Sequence, residues 1–345
     1  MRAPLDPQAA PAIRWGIIGP GGIAQRFARE VPMYTRSRIV AVGSRDLSRA
    51  QEFVGHALAS SQGVRTYGSY EELVADDGID AIYIASPHSE HHDHAVTALE
   101  AGKPVLVEKA FTLSATQAES VFSTADDHHL FAMEAMWSRF LPHYTVMSQI
   151  LRSGELGEVH SIVGVHAQSL NLDPTWRLMN PALGGGALLD LGIYPLSLIQ
   201  WLWGVPDRIR ATGTLTATGV DLRESISLWY GDRLAVAYAD MGAAGKSSLQ
   251  IVGTKARLEV QDWFYTPQDL TMTMVDGRSR VFTTKVEGGF QYEAAEVAWC
   301  ISQGLTESTV MPWRDTVEVL RIADAVRAEL GVSYPGEPKD AEPSG

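Results

Sequence analysis

A short apolar run at residues 13–19 (IRWGIIG) ends at a cluster of glycines, Gly19, Gly21 and Gly22. It passes directly into Ala24, Phe27, Ala28 and Val31 at helical spacing. The hexapeptide Gly19-Pro20-Gly21-Gly22-Ile23-Ala24 fits G-x-G-x-x-A at this strand-to-helix turn. Glycines there permit a tight turn and let the backbone approach a pyrophosphate, while the helix start offers free N–H groups and a positive dipole end. The small Ala24 lets helix and strand pack closely. The same alternation continues along the chain: an apolar run at 38–43, a helical pattern at 48–54, a strand at 81–85, a polar helix at 90–101 and a strand at 104–107. These runs are apolar throughout rather than alternating, as in a parallel sheet covered on both faces. The expectation for this half is a parallel sheet covered by helices, with a dinucleotide-binding turn after its first strand.

After about Trp137 the texture changes. Alternating segments at 159–168, 208–217, 225–230, 233–239, 247–253, 257–261 and 270–274 are separated by short turns such as Tyr230-Gly231-Asp232. They predict an open, mostly antiparallel sheet. Helices are expected at 142–153, 187–203, 292–303 and 313–330. A chain of 345 residues accommodates two domains. The second α/β domain is expected at 136–335, with tails at 1–12 and 336–345. Residues 183–205 are nearly all apolar and about as long as a stretch that crosses a bilayer. They contain Asp190, Pro195 and Gln200, however, so a buried helix with one functional polar position is the expected form.

Twenty-eight Lys and Arg stand against 41 Asp and Glu, a formal charge of -13. Such a field repels phosphate backbones and anionic lipid, so neither nucleic acid nor membrane is an expected partner. An anionic ligand must be met by a local arrangement of donors. The single cysteine, Cys300, excludes an internal disulfide and any zinc site of two thiolates. With no apolar signal stretch near Met1, a cytoplasmic location is expected.

The end of the second strand reports which dinucleotide is bound. An acid there accepts the ribose hydroxyls of NAD; this chain has Ser44-Arg45, with Arg49 a turn further on, which suits the 2′-phosphate of NADP. Asp46 leaves NAD open. The segment 87–94 (PHSEHHDH) carries four histidines and two carboxylates, yet lacks H-E-x-x-H. A loop and first helical turn over the cofactor, formed by Ser86, Pro87, His88 and His91, is expected there, with no metal. His128-His129 sits in a polar turn and is expected at the surface. Glu108-Lys109 ends an apolar strand at the side where cofactors lie, so Lys109 is either a surface cation or a proton donor. In 184–194 (GGGALLDLGIY), Asp190 and Tyr194 are four apart and share a helical face, with Gly186 below. A buried Asp190 needs a partner, from Lys109 or a substrate hydroxyl, unless it serves a structural hydrogen bond.

Taken together, GPGGIA, the P-x-x-x-H-x-x-H-A segment at 87–95, AGKPVLVEKA at 101–110 and GGGALLDLGIYPL at 184–196 resemble the Gfo/Idh/MocA oxidoreductases over nearly the whole chain. MEAMWSRFLP at 133–142 and the later ESTVMPWRDT resemble the dimeric dihydrodiol dehydrogenase branch, which includes NADP-dependent D-xylose dehydrogenases. The resemblance implies a Rossmann dinucleotide-binding domain at 13–135, followed by an α/β domain with an open, mostly antiparallel sheet, and catalysis by Lys109, Asp190 and Tyr194. It places Glu108, Trp137 and Arg139 near the nicotinamide, Trp176 and Arg177 at the substrate mouth, and Phe290 closing the other side. It further implies a dimer or higher homo-oligomer and a sugar, polyol or vicinal diol as substrate. A Lys109 cation beside Tyr194 is expected to lower the phenol pKa. Alanine at 110 departs from the family's usual Glu-Lys-Pro. An NAD-tethered glycosidase and a non-enzymatic dinucleotide sensor are the rival readings of the same scaffold; the second would be expected to lose the catalytic residues that this chain keeps.

Overall fold

The computed structural model describes residues 5–59 and 61–335; the first four positions of the expected N-terminal tail and the tail at 336–345 lie outside them. The first half alternates β1 (Arg14–Ile18), α1 (Gly22–Tyr34), β2 (Arg38–Gly43), α2 (Leu47–Ala57), β3 (Arg65–Tyr67), α3 (Tyr70–Val74) and β4 (Ala81–Ile84). It continues with α4 (His91–Glu100), β5 (Val105–Glu108), α5 (Ala115–Asp127) and β6 (Ala132–Ala135). The six strands form one parallel sheet in the order β3-β2-β1-β4-β5-β6. The order reverses between β1 and β4, and ligands of such sheets bind outside the carboxyl ends of the strands at that point. All four residues of β4, of β5 and of β6 are buried, as a doubly covered sheet requires.

Four elements of this half escape the sequence pattern. β3 is three residues long. α3 is one turn started by a Ser69 cap on the Glu72 N–H. α5 buries mainly alanines, with Val121 and Phe122, so its apolar face is faint. β6 (AMEA) carries a buried glutamate.

The second half starts with α6 (Pro142–Ser153), β7 (Val159–Ala167) and α7 (Ile193–Trp203), then β8 (Arg208–Leu215), β9 (Asp221–Tyr230) and β10 (Arg233–Asp240). It ends with β11 (Leu249–Gly253), β12 (Ala256–Val260), β13 (Leu270–Met274), β14 (Ser279–Phe282), α8 (Phe290–Ser302) and α9 (Trp313–Leu330). Its eight strands run β14-β13-β12-β11-β7-β10-β9-β8, all neighbours antiparallel except β7 and β10. The inner residues of β10, Ala235, Ala237 and Ala239, are small and fully buried, which lets α7 and the turn before it lie close to the sheet. The segment Pro181–Trp203 is long and apolar enough to cross a membrane, but an apolar stretch of 18 residues within it is 83% buried inside the fold.

The two C-terminal helices depart from the expected division. α8 packs on α1 and α9 on α5, so both return to the first half, while α9 also touches α7 and β8. Trp313 Nε1 donates to the Ala132 carbonyl at 2.8 Å and Thr316 Oγ1 to Glu134 at 3.0 Å, fastening α9 to β6. Amphipathicity marks these helices but carries no information about which sheet they cover.

Candidate active site

At the carboxyl ends of β1, β4 and β5 opens a cleft of about 690 Å³, closed on its far side by the segment that precedes α7. β1 delivers Gly19 with φ +83, and a Cβ there would meet the Ser86 nitrogen at 2.6 Å, so the turn and the end of β4 approach too closely for any other residue. Gly21 stands at the N-cap of α1, which has neither a side-chain cap nor an acid in its first turn. The positive end of that helix is thus available to an anion.

Around the end of β2, Ser44, Arg45 and Arg49 all line the cleft. Among the described residues neither guanidinium is in an ion pair. Asp46, the acid that could have served a ribose hydroxyl, instead caps α2 through the Ser48 N–H at 2.9 Å and the Ser48 hydroxyl at 2.8 Å. Tyr70, at the start of α3, completes this corner and was not anticipated. The Ser-Tyr-Glu-Glu cap signal locates a helix start, but nothing in sequence puts it opposite Arg45.

The histidine cluster is dispersed by its local backbone. His88 Nδ1 lies 2.8 Å from the Gly184 carbonyl and His94 Nδ1 2.9 Å from Ser86 Oγ, while His92 reaches Ser120 at 3.1 Å. His91 has a backbone carbonyl at each ring nitrogen, Ala110 and Ser86, both at 2.8 Å. Among the described residues no group of three or more His, Cys, Asp or Glu is placed to hold a metal.

At the end of β5, Glu108 is buried, takes a hydrogen bond from Tyr83 Oη and accepts the Lys109 N–H at 3.2 Å. Burial raises its pKa against the opposing pull of Tyr83 and Lys109. The Lys109–Ala110 peptide is cis. Beyond it, the Phe111 N–H donates to Glu134 at 3.2 Å, whose carboxyl burial pushes up to about 7. Lys109 Nζ reaches across the cleft to the Asp190 carbonyl at 2.8 Å and its Oδ1 at 3.2 Å. Arg177 donates to the same Oδ1 at 3.1 Å. Burial disfavours the Asp190 charge, yet the two cations overcome it and hold the carboxyl well below the usual range.

Asp190 lies in a π-helical turn, Leu188–Gly192, that runs into α7, rather than in the regular helix expected. The turn begins on Gly186, whose φ is +124 and whose added Cβ would lie 2.2 Å from Asp221 Oδ1. The other oxygen of Asp221 accepts the Leu188 N–H at 2.5 Å. An acid on β9 thus caps the turn that carries Asp190, and only glycine leaves room for it.

Tyr194 and Lys109 face one cleft, but the phenol is not acidified as expected. Burial and then the Glu108 charge drive the Tyr194 pKa well above 10, opposed by the Trp137 Nε1 donor at 3.1 Å. Lys109 Nζ sits over the Tyr194 ring, 5.1 Å from its centre, and is directed to Asp190. Three further expectations are corrected. Arg139 does not line the cleft: it is fully buried and binds Asp315 at 2.6 Å, Ser197 and Gln200, joining the turn after β6 to α7 and α9. Phe290 is buried between Phe27 and Trp137, stacked on the latter at 5.0 Å, behind the wall rather than across the opening. Trp137 reaches the site through Tyr194 alone. The remaining residues expected at the site, Gly22, Ile23, Pro87 and Trp176 included, line the cleft.

The comparisons agree with this architecture. Residues 13–136 match the model of an oxidoreductase family with an NAD-binding Rossmann fold, and residues 144–259 match the GFO/IDH/MocA C-terminal domain. The chain is 33% identical to a D-xylose 1-dehydrogenase (NADP(+)) of Hypocrea jecorina, covering 94% of this chain and 93% of that protein. It is 34% identical to a trans-1,2-dihydrobenzene-1,2-diol dehydrogenase of Xenopus tropicalis, covering 94% and 100%. A crystal structure of a 3-ketoreductase from Actinomadura kijaniata with NADP and TDP-benzene superposes with a TM-score of 0.81 at 25% identity, over 92% of this chain and 98% of that one. The chain therefore belongs to the GFO/IDH/MocA family of nicotinamide-dependent oxidoreductases.

Proposed function

We propose that the protein is an NADP-dependent oxidoreductase of a sugar, polyol or vicinal diol. The observation that carries the cofactor choice is the corner at Ser44, Arg45 and Arg49, where two guanidiniums face the cleft and Asp46, the acid that follows β2, is engaged in capping α2. The uncapped α1 start and the glycine turn suit a diphosphate. When bound, the nicotinamide exchanges a hydride with the substrate carbon. Its relatives in Hypocrea jecorina and Xenopus tropicalis are named for an aldose and a dihydrodiol, both of which present adjacent hydroxyls.

Lys109 and Arg177 hold Asp190 ionised, so its carboxylate accepts a substrate hydroxyl and orients the ring. Tyr194, kept protonated by burial, donates to the carbonyl oxygen during reduction. In oxidation Tyr194 first gives its own proton to water, the Lys109 cation over its ring favouring the phenolate, and then takes the proton of the substrate hydroxyl as hydride leaves the same carbon. The reducing cytoplasm suits its single, buried Cys300.

The test is a titration with NADPH and NADH, followed by energy transfer from tryptophan. NADPH should bind more tightly, and Arg45→Ala should weaken NADPH by about 10- to 100-fold, the worth of one charge-assisted contact, while leaving NADH unchanged. Equal binding of the two coenzymes by the unsubstituted protein would remove the NADP assignment.

A further inference from the structure

His91 is 1% exposed, and both of its ring nitrogens lie 2.8 Å from backbone carbonyl oxygens, Nδ1 from Ala110 and Nε2 from Ser86. A neutral imidazole has one N–H and one bare nitrogen, so it can satisfy only one of two acceptors; the charged ring satisfies both. The two carbonyls belong to the ends of β4 and β5, the strands whose tips form the cleft wall. Ala110 follows Lys109 directly.

We infer that binding of the dinucleotide holds His91 as an imidazolium, which ties Ser86 to Ala110 and thereby positions Lys109. The inference rests on the cofactor reading above.

The groups around His91 explain why a ligand is needed. On its own segment stand His88, 5.6 Å away ring to ring, with Glu90 and His94. From the end of β5 come Glu108 and Lys109, and from the facing wall Arg177 and Asp190, all lining the same cleft apart from Glu90 and His94. Asp190 is already matched by two cations, and Glu108 is shifted toward its neutral form by burial. Among the described residues no carboxylate is within ion-pairing distance of His91, and in the free protein burial pushes its pKa down to about 4 while the two carbonyls push it up. A diphosphate received by the glycine turn of the same cleft supplies the negative charge that the protein lacks there. Proton uptake on binding turns the second of these 2.8 Å approaches from a meeting of two acceptors into a hydrogen bond, which fixes the Ser86 and Ala110 carbonyls and with them the backbone that carries Lys109 toward Asp190.

The experiment is long-range ¹H–¹⁵N NMR of enzyme labelled with ¹⁵N-histidine, at pH 7.5, with and without saturating NADP. His91→Asn identifies the signal by its loss. Should that variant not fold, Asn variants made one at a time at the other nine histidines remove their own resonances and leave His91 by exclusion. The expected result is one bare ring nitrogen in the free enzyme and two protonated nitrogens in the complex. A bare nitrogen persisting in the complex overturns the inference while the cofactor reading stands. If NADP moves none of the cleft histidines, the cofactor reading fails and takes the inference with it. His91→Asn should also lower kcat by about 10- to 100-fold, the cost of a misplaced catalytic group; turnover at the unsubstituted rate would remove the positioning role.

Discussion

Lys109, Asp190 and Tyr194 are 81 and 85 positions apart at their widest, yet a lysine at the end of one strand meets a carboxylate before one helix at 3.2 Å. Each was legible as a residue type out of place: a cation ending an apolar strand, an acid within an apolar stretch. Their mutual arrangement was not, and the expectation that Lys109 would acidify Tyr194 failed because Asp190 offers the ammonium two oxygens while burial and Glu108 act on the phenol. Removing either donor should expose the division of labour. Tyr194→Phe and Lys109→Ala should each reduce kcat by about 10²- to 10⁴-fold, the usual span for a positioned acid or base, with NADPH binding retained in the fluorescence titration. Arg139 shows the opposite failure. A guanidinium beside Trp137 looked like a cofactor contact, and its burial among Asp315, Ser197 and Gln200 depends on α9, which is contributed from about 180 positions away.

At the scale of elements, strands with all-apolar runs were easy to see, and short or small-residue ones such as β3, β6 and α5 were not. The π-helical turn at 188–192 was invisible for a different reason: it answers to Asp221 on β9, which caps it, and not to the local sequence. A comparable long-range tie joins α6 to the loop after β12, where His143 Nε2 lies 2.9 Å from the Phe264 carbonyl. Burial lowers the His143 pKa to about 4. The folded ring stays neutral where the unfolded one, near 6.5, takes up a proton, so this histidine removes stability as pH falls from about 6.5 to about 4. Glu134, raised to about 7, acts in the opposite sense, losing stability as pH rises from about 4.5 to 7. Only a difference between variants isolates one group. His143→Gln should lower the melting temperature at pH 7 and lower it less at pH 4.5, as the unsubstituted protein bears the protonation cost. A gap that stays constant across that range would contradict the assignment.

At the scale of the whole molecule, the described residues leave the outer face of the second sheet only half-covered. Its centre carries Val163, Val165, Leu234, Val236 and Tyr238, paired across β7 and β10, with Trp229 beside Leu234. Aliphatic and aromatic side chains alternate there with the buried alanines of the inner face, which is the pattern of a sheet buried on both sides. We expect a homodimer formed through this face. Light scattering on eluted protein should give twice the chain mass, and Val236→Asp should give a monomer that still binds NADPH; a monomeric unsubstituted protein would end that assignment.

What the sequence determined by itself was the periodicity and the punctuation. Apolar runs, helical spacing and glycines at forced turns are local properties, and they sufficed for the parallel sheet, the dinucleotide turn, the second sheet and the family. What only the tertiary structure decided were matters of who faces whom. The return of α8 and α9 to the first half, the burial of Arg139 and Phe290, the cap on the Asp190 turn and the protonation of Tyr194 all follow from contacts between distant segments. Burial and charge pairing are set by the sum of such contacts, and no local pattern encodes them.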